Sequence, residues 1–158
     1  MSLHLSTFDV SEVVTHVQNY AEQLNHNDRV EIRWQAEPDL PPLTTDALKL
    51  EEILQNLIGN AYKFTPRGSI EVGVRGLQEE KLIEFVVADT GIGIGESDLG
   101  KIFDEFHQLE DAHTGTYSGV GLGLSIVKKY LELMRGQIRV ESQPGVGTTF
   151  TFTLPYSV

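Results

Sequence analysis

Two pairs of alternating strands, each turning back on itself, limit the architecture of this chain more than any other feature. Residues 69–75 and 81–88 flank one turn, and residues 137–142 and 148–154 flank Pro144-Gly145-Val146-Gly147. Strands joined by so short a connection pair antiparallel, because a parallel pair needs a crossover of a dozen or more residues. A regular βαβ repeat is therefore not indicated. Helical periodicity fills the intervals between the strands. Val10, Val13, Val14, Val17, Tyr20, Ala21 and Leu24 recur at helical spacing within residues 8–24, with Asp9 or Ser11 as the cap. Val30-Glu31-Ile32-Arg33-Trp34 alternates as a further strand. After the breaks at Pro38, Pro41 and Pro42, Thr44 or Thr45 caps a long helix reaching Lys63. A short helical segment is expected near residues 97–103, and a last helix over 120–135 stops at Gly136. Helices and hairpins in this order predict an α+β fold. It is a two-layer α/β sandwich, with one mixed, mostly antiparallel sheet covered by helices on one face.

The 158 residues suit a single domain spanning 1–158 with a sizeable core, and Met1-Ser2-Leu3 has the look of a cloning scar. No cysteine is present, so disulfides and thiolate-bound zinc are excluded. The formal charge of -11 argues against gripping nucleic acid or an anionic membrane surface. No apolar run approaches the roughly 18 residues that a membrane span needs, and a cytoplasmic location is expected even if a longer parent protein is membrane-anchored.

On the long helix, Leu50, Ile53, Leu54, Leu57 and Ala61 make a core face. Glu52, Asn56, Asn60 and Lys63 fall within roughly 40° of another direction. Asparagine competes for its own backbone, so two of them four residues apart are a poor choice for helix stability alone. Amide oxygens beside a carboxylate suit a hard cation such as magnesium, and Lys63 adds a point charge for phosphate. A merely solvated helix face fits the same stripe.

Glycines concentrate in two loops. Asp89-Thr90-Gly91-Ile92-Gly93-Ile94-Gly95 ends an apolar strand, where glycine permits close backbone approach and an ionised Asp89 accepts hydrogen bonds only. Such an acceptor suits the exocyclic amino group of adenine and repels the carbonyl of guanine, although a simple Asx turn needs the same residues. In the second loop Gly119, Gly121 and Gly123 crowd the start of the last helix, where each costs about 0.5–1 kcal/mol relative to alanine. Phosphates approaching the helix amino end would account for them, as would tight packing. Neither loop is followed by Lys and then Ser or Thr, so a P-loop is excluded, and the spacing is not the dinucleotide fingerprint. Residues 107–119 are poor in apolar side chains and read as a mobile loop.

Four blocks in this order resemble the nucleotide-binding domain of histidine kinases. Leu54-Gln55-Asn56-Leu57-Ile58-Gly59-Asn60-Ala61-Tyr62-Lys63-Phe64-Thr65 resembles the N box, and Asp89-Thr90-Gly91-Ile92-Gly93-Ile94 the first glycine box. Ile102-Phe103-Asp104-Glu105-Phe106 resembles the F box, and Gly119-Val120-Gly121-Leu122-Gly123-Leu124 the second glycine box. The resemblance implies a Bergerat ATP-binding fold. Asn60 would then hold magnesium, Asn56 would contact the phosphate region, and Lys63 would reach phosphate. Phe64 would lie against adenine, Asp89 would bind its amino group, and Thr148 would assist through its hydroxyl and a water. Gly91 and Gly93 would line the base and sugar side. Gly119, Gly121 and Gly123 would border the phosphates, with Leu124 in the same set, under a lid of residues 104–120 anchored by Phe103 and Phe106.

In the related gyrase, mismatch-repair and chaperone ATPases, the position matching Asn56 is a glutamate that activates water, a role closed to an amide. The resemblance thus implies transfer of the γ-phosphate of Mg-ATP to a histidine on a dimerisation helix of the same protein, which would in turn supply a response-regulator receiver domain. A Bergerat-fold serine kinase or ATPase, or a degenerate nucleotide-binding interaction module, are the competing expectations. The sequence departs from the pattern in three places. Ser118 and Val120 stand where the family usually has Gly and Thr, and no Lys or Arg lies between Lys101 and Lys128. None of His4, His16, His26, His107 or His113 has the phosphoacceptor context, so the dimerisation and phosphoacceptor domain is expected to lie outside this chain, and His16 is expected at the surface.

Overall fold

A computed structural model of the chain describes residues 2–24, 28–104, 110–111, 115–116 and 120–158. The order is β1 (Ser6–Phe8), α1 (Val10–Leu24), β2 (Val30–Ala36), β3 (Leu43–Thr45), α2 (Ala47–Phe64), β4 (Gly68–Leu77), β5 (Leu82–Asp89) and α3 (Glu96–Leu99). It continues with β6 (Glu110–Asp111), β7 (Gly115–Thr116), α4 (Val120–Leu133), β8 (Gln137–Gln143) and β9 (Gly147–Pro155). Both expected hairpins form. β4 pairs antiparallel with β5, and β8 with β9, while β5 and β9 join them antiparallel with Asp89 opposite Thr148. β2 adds to the outer edge of β4 in parallel, giving a mixed five-stranded sheet in the order β2-β4-β5-β9-β8. That is the sheet the hairpin pattern predicts.

Alternation decides which face is covered. Ile70, Val72 and Val74 of β4, Ile83, Phe85 and Val87 of β5, and Phe150, Phe152 and Leu154 of β9 are all buried. They meet Leu50, Ile53, Leu54, Leu57, Ile58 and Ala61 of α2 and Leu124, Val127 and Leu131 of α4 in one core. Phe85 and Phe152 stack at its centre with ring centroids 4.7 Å apart. Aromatic stacking adds roughly 0.5–1.5 kcal/mol to what area burial gives. α1 packs on α2 through Val10, Val13, Val17 and Ala21.

The cap of α2 differs from expectation. Thr44 and Thr45 lie in β3, paired with β1, and Asp46 caps the helix by accepting from the Lys49 N–H at 3.1 Å. A threonine committed to strand pairing has its backbone fixed there, and the next acceptor takes the cap. The end of α4 also differs in its reason. Arg135 takes the left-handed conformation (φ 60), and Gly136 is needed because a Cβ there would meet the Thr153 carbonyl oxygen at 2.5 Å.

Candidate functional site

The carboxyl end of β5, the start of β9 and the last two turns of α2 converge on one cleft. It is lined by Asn60, Ala61 and Phe64 of α2, Asp89 of β5, Gly93 and Ile94 of the following loop, Leu124 of α4, and Thr148 and Phe150 of β9. The walls are mainly apolar, which suits a flat aromatic ligand held by a few polar groups. Six residues selected from the sequence (Asn60, Phe64, Asp89, Gly93, Leu124 and Thr148) thus share one lining. Ala61, Ile94 and Phe150 were not selected. Ala61 and Phe150 carry only a core signal in the sequence, whereas Ile94 sits inside the first glycine loop and was within reach.

Asp89 stands at the polar end of this cleft. Its Oδ1 accepts the Gly91 N–H at 2.8 Å. Burial pushes its carboxyl above the ordinary aspartate range, and the N–H groups of Gly91 and Thr148 offset only part of that rise. The groups named here that contact the carboxylate are donors, so Asp89 presents acceptor capacity to whatever enters.

The first glycine loop is explained by its backbone neighbours. A Cβ on Gly91 would run into the Phe64 carbonyl oxygen, the same oxygen that accepts the Ile92 N–H at 3.0 Å. Gly93 adopts φ +76, and its Cβ would strike the Gln143 carbonyl in the β8–β9 turn. Gly147 adopts φ +146 with its Cβ position against the Asp89 backbone. Gly91 is buried beside the cleft rather than among its lining residues. These three glycines draw α2, the loop and the hairpin turn together around Asp89. A chain that tolerates no Cβ at three adjoining contacts is held there by backbone geometry.

Asn56 lies one turn before Asn60. Its Nδ2 donates to the Glu52 carbonyl at 3.0 Å, and its Oδ1 lies 3.0 Å from where a Cβ on Gly123 would sit. The amide oxygen thus faces the first turns of α4. Asn60 has its Nδ2 buried without a hydrogen-bond partner, a donor left for something else in the cleft. Glu52, the fourth member of the polar stripe, has its carboxylate taken by the Tyr130 hydroxyl at 2.8 Å. Of the stripe, Asn60 alone lines the cleft, while Glu52 is engaged by α4 and the Asn56 oxygen faces Gly123. Lys63 is exposed in the last turn of α2. Gly121 lies in the first turn of α4, while Gly119 falls outside the described residues, as do Phe106 and most of the expected lid. Phe103, the expected lid anchor that does lie among the described residues, packs edge-on against Phe150 of the cleft wall with ring centroids 6.3 Å apart. His16 is exposed and pairs with Glu51 at 2.6 Å.

Among the described residues no group of three or more His, Asp or Glu side chains is placed to hold a metal ion. An ion here would rest on amide oxygens and on oxygens brought by a ligand. That donor set fits magnesium, which keeps waters and phosphate oxygens in its shell.

Fold, cleft and buried acid together define a nucleotide-binding ATPase-type domain. A family profile described as histidine kinase-, DNA gyrase B- and HSP90-like ATPase matches residues 45–158, and the chain belongs to that family. It is 45% identical over 117 residues to the autoinducer 2 sensor kinase/phosphatase LuxQ of Vibrio vulnificus (strain YJ016), which covers 72% of this chain and 14% of that protein. It is 42% identical over 127 residues to the aerobic respiration control sensor protein ArcB of Escherichia coli (strain K12), covering 78% of this chain and 16% of that one. Full-length ShkA, crystallised in complex with AMPPNP, superposes with a TM-score of 0.85 at 31% identity, over 99% of this chain and 32% of that chain. The chain therefore spans a minor part of the sensor proteins it matches. Its similarity lies with their histidine kinase catalytic domains, and the sheet and helices are those of the Bergerat fold. No described helix is long and apolar enough to cross a membrane.

Proposed function

We propose that this chain is the ATP-binding catalytic unit of a sensor histidine kinase. It would hold Mg-ATP and, within a longer protein, pass the γ-phosphate to a histidine on a dimerisation helix, from which a response-regulator receiver takes it. The observation that carries the proposal is the cleft itself: a buried acceptor, Asp89, shares a mainly apolar slot with Asn60, and Asn56 stands one turn earlier on the same helix. Adenine would lie between Phe64 and the sheet wall and give an amino proton to Asp89. Its phosphates would then run toward Asn56, Asn60 and Lys63 and the amino end of α4, where the glycine-bearing turns offer backbone N–H groups. Magnesium held by Asn60 would neutralise charge on the phosphates.

Asn56 favours a kinase over a hydrolase. Its Nδ2 is committed to the Glu52 carbonyl, and an amide oxygen has too little basicity to take a proton from water. Phosphoryl transfer asks mainly for in-line positioning and charge neutralisation, which this site would supply without a base. The domain is read as acting in the cytoplasm, with no nucleic acid or membrane contact of its own.

Titration calorimetry with a non-hydrolysable ATP analogue, with and without magnesium, together with incubation in γ-labelled ATP, tests the reading. Magnesium-dependent binding with neither self-labelling nor rapid phosphate release is expected. No binding at millimolar analogue would leave an interaction module. Rapid phosphate release would identify an ATPase, and stoichiometric labelling would place an acceptor within this chain.

A further inference from the structure

Ser142 had no part in the sequence reading, yet its hydroxyl ties together three pieces of the cleft. Its Oγ accepts the Ile94 N–H from the glycine loop at 2.7 Å. It also lies 3.0 Å from the Gly147 carbonyl oxygen and 2.8 Å from Thr148 Oγ1. A serine hydroxyl carries one proton, and a carbonyl oxygen only accepts. The contact with Gly147 therefore consumes the Ser142 proton. The contact with Thr148 then requires the Thr148 hydroxyl to donate to Ser142 Oγ. Thr148 lines the cleft and is only 6% exposed. With its proton turned back toward Ser142, it offers the cleft lone pairs alone.

We propose that Ser142 is a specificity-determining residue for the purine 6-position, acting by orienting the Thr148 hydroxyl as an acceptor. This deepens the proposed function and rests on its placing of the base beside Asp89. Asp89 and Thr148 sit opposite each other on β5 and β9, so the sheet side of the cleft shows two acceptors and no hydroxyl donor. A 6-amino group, with two N–H bonds, can give one to each, directly or through an intervening water. A 6-carbonyl would face lone pairs at both places. Asp89 alone can turn its carboxylate only within the grip of the Gly91 and Thr148 N–H groups. A free Thr148 hydroxyl, by contrast, could rotate and donate to a carbonyl. Ser142 removes that option. It acts through Thr148 and need not touch the nucleotide, which makes it a positioning residue.

The test compares ATP with inosine triphosphate, which differs at the 6-position in having a carbonyl and a ring N1–H. Affinities of both, as magnesium complexes, are measured for the native chain, Ser142→Ala, Thr148→Val and the double variant. The native chain is expected to prefer ATP. In Ser142→Ala the ratio of the two affinities is expected to narrow about five- to tenfold, the range of a single hydrogen bond. In the Thr148→Val background the same serine change is expected to leave the ratio where it was, since the hydroxyl it orients is gone. Ser142→Cys keeps a side chain of the same shape while replacing the oxygen acceptor with a weak sulfur one, and it should narrow the ratio in the same direction where the alanine variant does not fold. Equal weakening of both ligands, or a ratio that Ser142→Ala leaves unchanged, would overturn the inference, because a packing role moves both affinities together. So would narrowing that persists without Thr148. Failure of the native chain to bind ATP at all would instead reject the reading of the cleft as an ATP site.

Discussion

At the sheet end of the cleft, Asp89, Ser142 and Thr148 sit in a web of short hydrogen bonds to backbone groups of Gly91, Ile94 and Gly147. At the helix end, Asn60 has an unpartnered amide nitrogen, Lys63 is exposed, and the Asn56 oxygen looks across at a glycine. One end is finished before any ligand arrives, whereas the other leaves the Asn60 amide nitrogen for a partner that a ligand would bring. The difference follows from what each end would have to recognise. A base edge demands fixed donors and acceptors, because a misdirected hydroxyl would accept the wrong base. A phosphate chain carries its charge on many oxygens and is met by point charges, dipoles and a cation, which tolerate adjustment.

Adding a Cβ to the close-packed glycines around the finished end should therefore register first as instability. Gly91→Ala drives a Cβ into the Phe64 backbone, which cannot give without shifting the end of α2. A loss of about 2–3 kcal/mol is expected from overpacking of this kind. It should appear in thermal unfolding as a fall of roughly 5–10 °C for a domain of this size. A variant as stable as the native chain would show that the loop moves freely over α2, and the contrast between the two ends would fail.

Next in size is Asp89→Asn. Burial raises the Asp89 carboxyl above its ordinary value, so the folded chain bears a cost for the ionised form at neutral pH. That cost fades as pH falls through the raised value, where the folded state takes up a proton more readily than the unfolded one. The amide removes the charge and should leave the unfolding temperature unchanged or higher. Nucleotide affinity should nonetheless drop about tenfold to a hundredfold, the worth of a hydrogen bond to a charged group. In the native chain, affinity for adenosine should weaken as pH falls through the raised value, beginning above the usual aspartate range near about 3.9. The amide variant should show no such dependence, and a shared pH profile would remove Asp89 from the recognition of the base.

The sheet was legible because alternation and turns are local: Ile83, Phe85 and Val87 declare their face whatever surrounds them. The cleft was legible where chemistry overrode propensity, as with two asparagines on one helix face and an acid at a strand end. Asp46 and Ser142 were not. An aspartate after two threonines gives three plausible caps, and only the pairing of β1 with β3 removes the threonines from contention. A serine in a strand reads as surface until the fold sets Ile94, 48 positions back along the chain, against it. The reasons for the glycines were hidden in the same way. Gly91 and Gly93 read as ligand-facing, but the neighbours a Cβ would strike are backbone atoms of Phe64 and Gln143.

The smallest effect is expected at the open end, and it separates the two ends most sharply. Gly123 lies inside α4, where alanine would favour the helix by up to about 1 kcal/mol. Its Cβ would stand 3.0 Å from Asn56 Oδ1, a side-chain atom held only by the donation of Nδ2 to Glu52. The amide can yield by a few tenths of an ångström, so Gly123→Ala should keep its stability within about 0.5 kcal/mol of native or gain slightly. The displaced oxygen and the new methyl both intrude where phosphates and their cation would pass. Affinity for the magnesium complex of an ATP analogue should fall by about three- to fivefold, equivalent to less than about 1 kcal/mol. Affinity for adenosine, which carries no phosphate, should not change. Equal losses for the two ligands would mean that the α4 glycines shape the base pocket as well, and the division of the cleft into a finished and an open end would not hold.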